Sequence, residues 1–166
     1  MHLVLDTWPL VTIIAGLFSE LASTGTARRL QKLCVTSGID FSGERVRSLV
    51  RYLSMWTVIS TTGCVMAEAF YLLREAAADD FGNLLCWTAE RFPEPRLVPL
   101  AWSSLVASPV AAKLGVTDAS VLAAVSVASL EDEKAMLLHQ DGRLHTWCVR
   151  HDIPATTCLE VVSWKV

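Results

Sequence analysis

The sequence predicts an α/β fold in which a parallel sheet is covered by helices on both faces. Two observations carry this. Short apolar runs alternate with longer stretches of helical periodicity, the order that builds strand–helix–strand units. Of the 166 residues, 52% are hydrophobic and 19% charged, enough apolar side chain to fill one core and bury a sheet on both sides.

Leu3-Val4-Leu5 is an apolar run closed by Asp6 and followed by Thr7, Trp8 and Pro9; it reads as a buried strand feeding a helix with proline in its first turn. From Val11 to about Leu53 the pattern is helical. It is broken at Ser23-Thr24-Gly25 and Thr36-Ser37-Gly38, and Phe41-Ser42-Gly43 opens a further helix. The result is a helical insert at about 16–54. Trp56 to Ser60 is β-branched and aromatic, a second strand, and Thr61 or Thr62 caps a helix running to about Ala78. A helix around Gly82 to Arg91 stops before Pro93-Glu94-Pro95. Arg96 to Ala101 follows as a third strand, which Pro99 confines to a sheet edge. Ser103 to Leu114 reads as one helix. Gly115 ends it, and Thr117 caps an alanine-rich helix from Asp118 to about Leu130. Lys134 to Leu138 is a fourth strand, Leu144 to His151 a short helix and Thr156 to Val162 a small terminal strand. With no internal repeat and no low-complexity linker, residues 1–166 read as a single domain.

Several classes are excluded. No apolar stretch reaches the roughly 20 residues of a spanning helix. Met1 to Phe18 is interrupted by Asp6 and Pro9 and lacks a basic start, so neither a membrane span nor a signal peptide is expected, and the expected location is cytoplasmic. Cys34, Cys64, Cys86, Cys148 and Cys158 form no CxxC pair and no close Cys/His spacing, against a disulfide framework or a zinc knuckle. A net charge of −3 draws no polyanion to the chain as a whole, so binding nucleic acid needs a local basic patch or bound cations.

The placing of the acids carries the functional reading. Asp6 and Asp141 each follow an apolar strand and Asp118 opens a helix, so at least two lie at strand carboxyl ends, where open α/β sheets hold their sites. Glu68, early in the helix after the second strand, can lean into the same crevice. Converging carboxylates repel one another and gain protons unless a cation joins them. Oxygen-only ligands select Mg²⁺ or Mn²⁺, and such a site binds a phosphate oxygen, lowers the pKa of bound water and stabilises a charged leaving oxygen. Phosphodiester hydrolysis follows from that chemistry.

Val4-Leu5-Asp6-Thr7, Glu68 in a helix after a strand, Leu114-Gly115-Val116-Thr117-Asp118-Ala119 and Leu137-Leu138-His139-Gln140-Asp141-Gly142-Arg143-Leu144, in that order, resemble the PIN domain over nearly the whole chain. The resemblance implies a three-layer α/β/α sandwich on a mainly parallel five-stranded sheet, and metal-dependent cleavage of RNA, less often of DNA. Many bacterial stand-alone members are VapC-type toxins held inactive by an antitoxin protein. It also implies Asp6 and Asp118 as direct metal ligands, Asp141 as a ligand or second-metal acid, Glu68 as a ligand partly through water, and Thr7 as the hydroxyl that orients Asp6. Trp8 stands where the family usually has asparagine. His139 stands where it usually has serine or threonine, placed to alter how water or phosphate is held.

Taken singly, the acids have blander readings: Asp118 as favourable charge at a helix start, worth about 0.3–1 kcal/mol, Glu68 as a solvated helix residue, Asp141-Gly142 as a turn. Asp6 differs, because an acid closing a buried strand needs a partner. Arg28, Arg29, Lys32, Arg45, Arg47 and Arg51 fall in the insert, where they could track phosphates or equally form a solvated face. His139, His145 and His151 lack the tight spacing of a transition-metal site, and the six tryptophans default to packing. The apolar helices around Leu10 to Leu21 and Val46 to Leu53 offer surface for a homo-oligomer or an antitoxin. The expectation is a Mg²⁺- or Mn²⁺-dependent endoribonuclease; the alternative is a PIN-like module that has lost catalysis and binds protein or RNA. A receiver-type signalling domain is disfavoured, since Thr7-Trp8 and not a second acid follow Asp6.

Overall fold

A computed structural model of the chain describes residues 1–36, 38, 43–131 and 134–163. Ser37, Phe41 and Ser42, read above as bounding the insert helices, lie outside the described residues. Five strands, β1 (His2–Leu5), β2 (Val58–Thr61), β3 (Arg96–Leu97), β4 (Ala135–His139) and β5 (Ala155–Thr157), form one sheet in the order β3-β2-β1-β4-β5. Every pairing is parallel. β1 is central, and its Leu3 lies beside Ile59 on one flank and Met136 on the other.

Strand side chains alternate between faces, so β1 and β4 feed two cores. Val4 and Leu137 enter an apolar cluster with α1 (Thr7–Ser19), α2 (Thr24–Thr36), α4 (Gly63–Ala77), α5 (Phe81–Arg91) and α8 (Val116–Glu131). Leu3, Leu5 and Leu138 enter a second, closed by α3 (Gly43–Ser54) and α10 (Cys158–Ser163). The architecture is therefore the three-layer α/β/α sandwich that was expected. α1 is buried along most of its length, with Leu10 and Ile14 in the first cluster and Ile13 in the second. A helix enclosed on several sides has no need of a polar face. Helices α2 and α3 of the insert supply part of that enclosure. Of the five cysteines, all free, Cys34, Cys148 and Cys158 lie in the core.

The structure departs from the sequence reading where proline or a local cap decides. β3 is two residues long rather than six, with only the Val98 N–H bond to Thr61 O (2.9 Å) beyond it before Pro99, which has no N–H to donate. The stretch from Ser103 to Leu114 is two helices, α6 (Trp102–Val106) and α7 (Pro109–Leu114), because Pro109 opens a new first turn that Ser108 caps through Val110 N. Gly115, at φ +111°, ends α7 in a conformation that side chains avoid. Thr117 lies within the first turn of α8 and does not cap it. The expected terminal strand is only Ala155–Thr157, after which the chain turns into α10 through a reciprocal cap. Thr157 Oγ1 accepts from Glu160 N (3.2 Å), and Glu160 Oε2 accepts from Thr157 N (2.7 Å). The helix between β4 and β5, α9, runs Gly142–Arg150. Among the described residues no helix is long and apolar enough to cross a membrane.

Leu137 lies fully buried on β4 against α8 and α9 residues. Leu137→Ala is expected to cost roughly 2–5 kcal/mol through lost transfer energy and a residual cavity. A urea titration checks this: the midpoint should fall with the slope unchanged.

Candidate functional site

Asp6 is the residue at which the central strand runs out. Its N–H still donates to Leu138 O (3.0 Å), while Thr61 Oγ1 donates to the carbonyl of Leu5 (2.9 Å). The acid is therefore held in sheet register, and only 3% of it is exposed. Burial pushes its carboxyl up to about 7; the neighbouring Thr7 N–H opposes the shift, and the charges of Asp118, Glu68 and Asp141 add to it.

The other three acids arrive on helices. Asp118, in the first turn of α8 and partly buried, is pushed up to about 6 by burial and then by Asp141 and Glu68, with Arg143 acting the other way. Glu68 is exposed on the second turn of α4, whose start is capped by Thr62 through Val65 N (3.2 Å). The same Thr62 hydroxyl meets Ser120 Oγ at 2.7 Å, a buried link that fixes the start of α4 against α8 one turn from Asp118. Asp141 caps α9: its Oδ1 accepts from Arg143 N (2.6 Å) and Leu144 N (2.8 Å). The structure thus brings the other three predicted acids within electrostatic reach of Asp6, and Asp141 and Glu68 within reach of Asp118, at the carboxyl edge of β1 and β4.

Two companion residues behave differently from the expectation. The Thr7 hydroxyl does not orient Asp6; it donates to Glu68 Oε2 at 2.9 Å, tying the first turn of α1 to α4. His139 is fully buried at the end of β4 and faces another ring, with its Nε2 3.4 Å from His145 Nδ1. Burial, and then His145, lowers its pKa to about 4, so it is neutral at pH 7. Trp8, half-buried, packs against the larger core cluster.

The insert's cations lie away from the acids where their place is defined. Arg29 donates from Nε to Ala76 O (2.9 Å), at the last turn of α4 and roughly 12 Å along that helix from Glu68. Arg51 is in the last turn of α3, which runs on to Thr57, and Thr57 N bonds to Met1 O at the opposite end of β1 from Asp6. Arg28, Lys32 and Arg47 are exposed and Arg45 is half-buried. A cation that the sequence reading passed over, Arg143, is near the acids. Arg143 lies by Asp118 and donates to Lys113 O, and Lys113 is in the last turn of α7. The signal for Arg143 was its place two residues after Asp141.

Fold and site together define an all-parallel α/β sandwich with four acids gathered at its carboxyl edge. No family model matches the chain, and no curated protein or solved structure matches it either. As a donor set, four carboxylates offer hard oxygens suited to Mg²⁺ or Mn²⁺. Among the described residues, no three or more His, Cys, Asp or Glu side chains are arranged so that they could hold an ion as they stand. The chemistry of the donors fits such a cation, and buried Asp6, surrounded by acids, is the residue with most to gain from one.

The raised carboxyl of Asp6 makes a linkage prediction. Between the ordinary carboxylate range near 4 and about 7, the folded chain holds a proton that the unfolded chain has released, so Asp6 favours the fold at low pH and loses that advantage as pH rises through 7. In metal-free buffer, the stability of the wild type relative to Asp6→Asn should fall by on the order of 3–4 kcal/mol from pH 4 to pH 8. Taking the difference cancels the titrations of groups that do not sense Asp6, that of His139 included. A flat difference would show that Asp6 titrates normally.

Proposed function

We propose that this chain is a divalent-metal-dependent nuclease that hydrolyses RNA phosphodiester bonds, a PIN-like endoribonuclease. The observation that supports it most is Asp6, a carboxylate 3% exposed, at the end of the central strand and in the field of three more acids. A structural role alone would favour an apolar residue there, since burying charge beside like charge is costly without a cation. Asp6, Asp118, Asp141 and Glu68 would hold the ion, which when bound polarises a phosphate oxygen and lowers the pKa of bound water.

The chain's own residues set where those oxygens stand. Thr7 holds one oxygen of Glu68, and two N–H groups of α9 hold one oxygen of Asp141. The Thr62–Ser120 link keeps the helices of Glu68 and Asp118 in fixed relation. The partly buried floor around Asp6 and Asp118 strengthens every interaction with a phosphate and its counter-ion.

Asp6→Asn and Asp118→Asn should each reduce cleavage of single-stranded RNA roughly 100-fold or more in Mg²⁺ or Mn²⁺, with the circular dichroism spectrum preserved. Chelation should abolish the wild-type activity and added Mn²⁺ restore it. Undiminished cleavage in both variants ends the reading. A calorimetric titration showing no Mn²⁺ uptake would turn it toward a PIN-like module that binds without cutting.

A further inference from the structure

Two exposed cations, Arg143 and Lys113, meet beside α9, the helix that Asp141 caps, and both are held in place. Arg143 is on the first turn of α9, two residues beyond Asp141, and its guanidinium donates to the carbonyl of Lys113. It is close enough to Asp118 to oppose the effect of burial on that carboxyl. Lys113 places its ammonium 5.5 Å from the centre of the Trp147 ring. Arg143, Trp147 and His151 are spaced four apart and so share one stripe along α9. His151 packs against the Trp147 ring at 4.4 Å between centroids. With a second ring against it, Trp147 serves as a post that steadies the Lys113 ammonium.

We propose that Arg143 and Lys113 form the phosphate grip of this site, binding the backbone of single-stranded RNA at the α7–α9 flank of the crevice. The inference rests on the nuclease reading for the identity of the strand, and it names where that strand is held. Charge is the first reason. A chain of net charge −3 with four acids gathered at one edge repels a polyanion unless positive groups stand beside them; Arg143 stands beside Asp118, and Lys113 adjoins Arg143 along α9. Preorganisation is the second. Arginine carries five N–H donors, so with one amine committed to Lys113 O it keeps donors for phosphate oxygens. The insert is the weaker competitor: Arg29 is bonded to the end of α4, and Arg51 lies by the start of β1, a strand roughly 13 Å long that ends at Asp6.

Fluorescence anisotropy with a labelled oligouridylate tests the proposal, using the full chain in the Asp6→Asn background with Mg²⁺ present and salt varied. Arg143→Ala and Lys113→Ala should each weaken binding about five- to tenfold and flatten the plot of log Kd against log salt by about 0.7. Arg143→Lys should keep the salt slope while losing part of the affinity, because it keeps the charge but not the fork. Arg28→Ala and Arg51→Ala should change neither quantity. Both grip residues are exposed, and unchanged melting curves would show the variants folded. Unaltered affinity and slope in Arg143→Ala, larger losses in the insert variants, or no RNA binding in the parent chain would each overturn the proposal. Arg143-dependent binding by a protein that cuts no RNA would leave the grip standing and remove the nuclease reading. Metal-dependent cleavage with an unchanged KM in Arg143→Ala would do the reverse.

Discussion

All four residues of β1 are buried, with β2 hydrogen-bonded along one side and β4 along the other. Leu3 and Leu5 point into one core and Val4 into the other, so the strand cannot shift by a residue without turning both clusters inside out. That rigidity governs what comes after it. The Asp6 N–H remains in the ladder through Leu138 O, and the carboxylate is kept from water by the same packing that holds the strand. Apolar burial at about 25 cal/mol per Å² over two cores can carry one badly placed carboxylate; the site draws on stability that the sheet supplies.

The remaining acids are placed by short-range devices, each independent of the others. Thr62 starts the helix of Glu68, Gly115 ends the helix before that of Asp118, and Asp141 starts its own. These three devices meet only because the strands all run parallel, so that the chain leaves β2, β3 and β4 at the same edge as β1. Parallel order is thus what turns separate local caps into a shared crevice. Hydroxyls then lock the helices together across it: Thr7 to Glu68 and Thr62 to Ser120, pairs separated by 61 and 58 positions in the chain.

Much of this was legible in the residues because a buried strand closed by an acid is a local pattern. The Leu3–Asp6 and Leu137–Asp141 segments could be read without knowing what lay across from them. What escaped depended on distance or on competing local signals. Val161 and Val162 look like strand, yet Thr157-Cys158-Leu159-Glu160 carries a helix-start pattern in plain view, and the cap prevailed over β-propensity at the chain's last elements. Pro109 split a helix whose apolar periodicity runs through it. The pairing of Lys113 with Arg143 spans 30 positions and uses a backbone carbonyl, which no side-chain pattern announces. For the same reason the cations of the insert looked the better candidates: they are clustered in sequence, where Arg143 and Lys113 are clustered only in space.

The sheet also sets how copies of the chain can meet. Its outermost strands are β3, with two residues, and β5, with three. A second molecule seeking to extend the ladder would find almost no free backbone to pair with, and Pro99 stands just past the end of β3. Cross-β addition and strand exchange are thereby blunted, and Arg96, half of β3 and ion-paired with Glu131, adds charge to that edge. Any self-assembly is left to helical surfaces such as that of Tyr71, 63% exposed on α4.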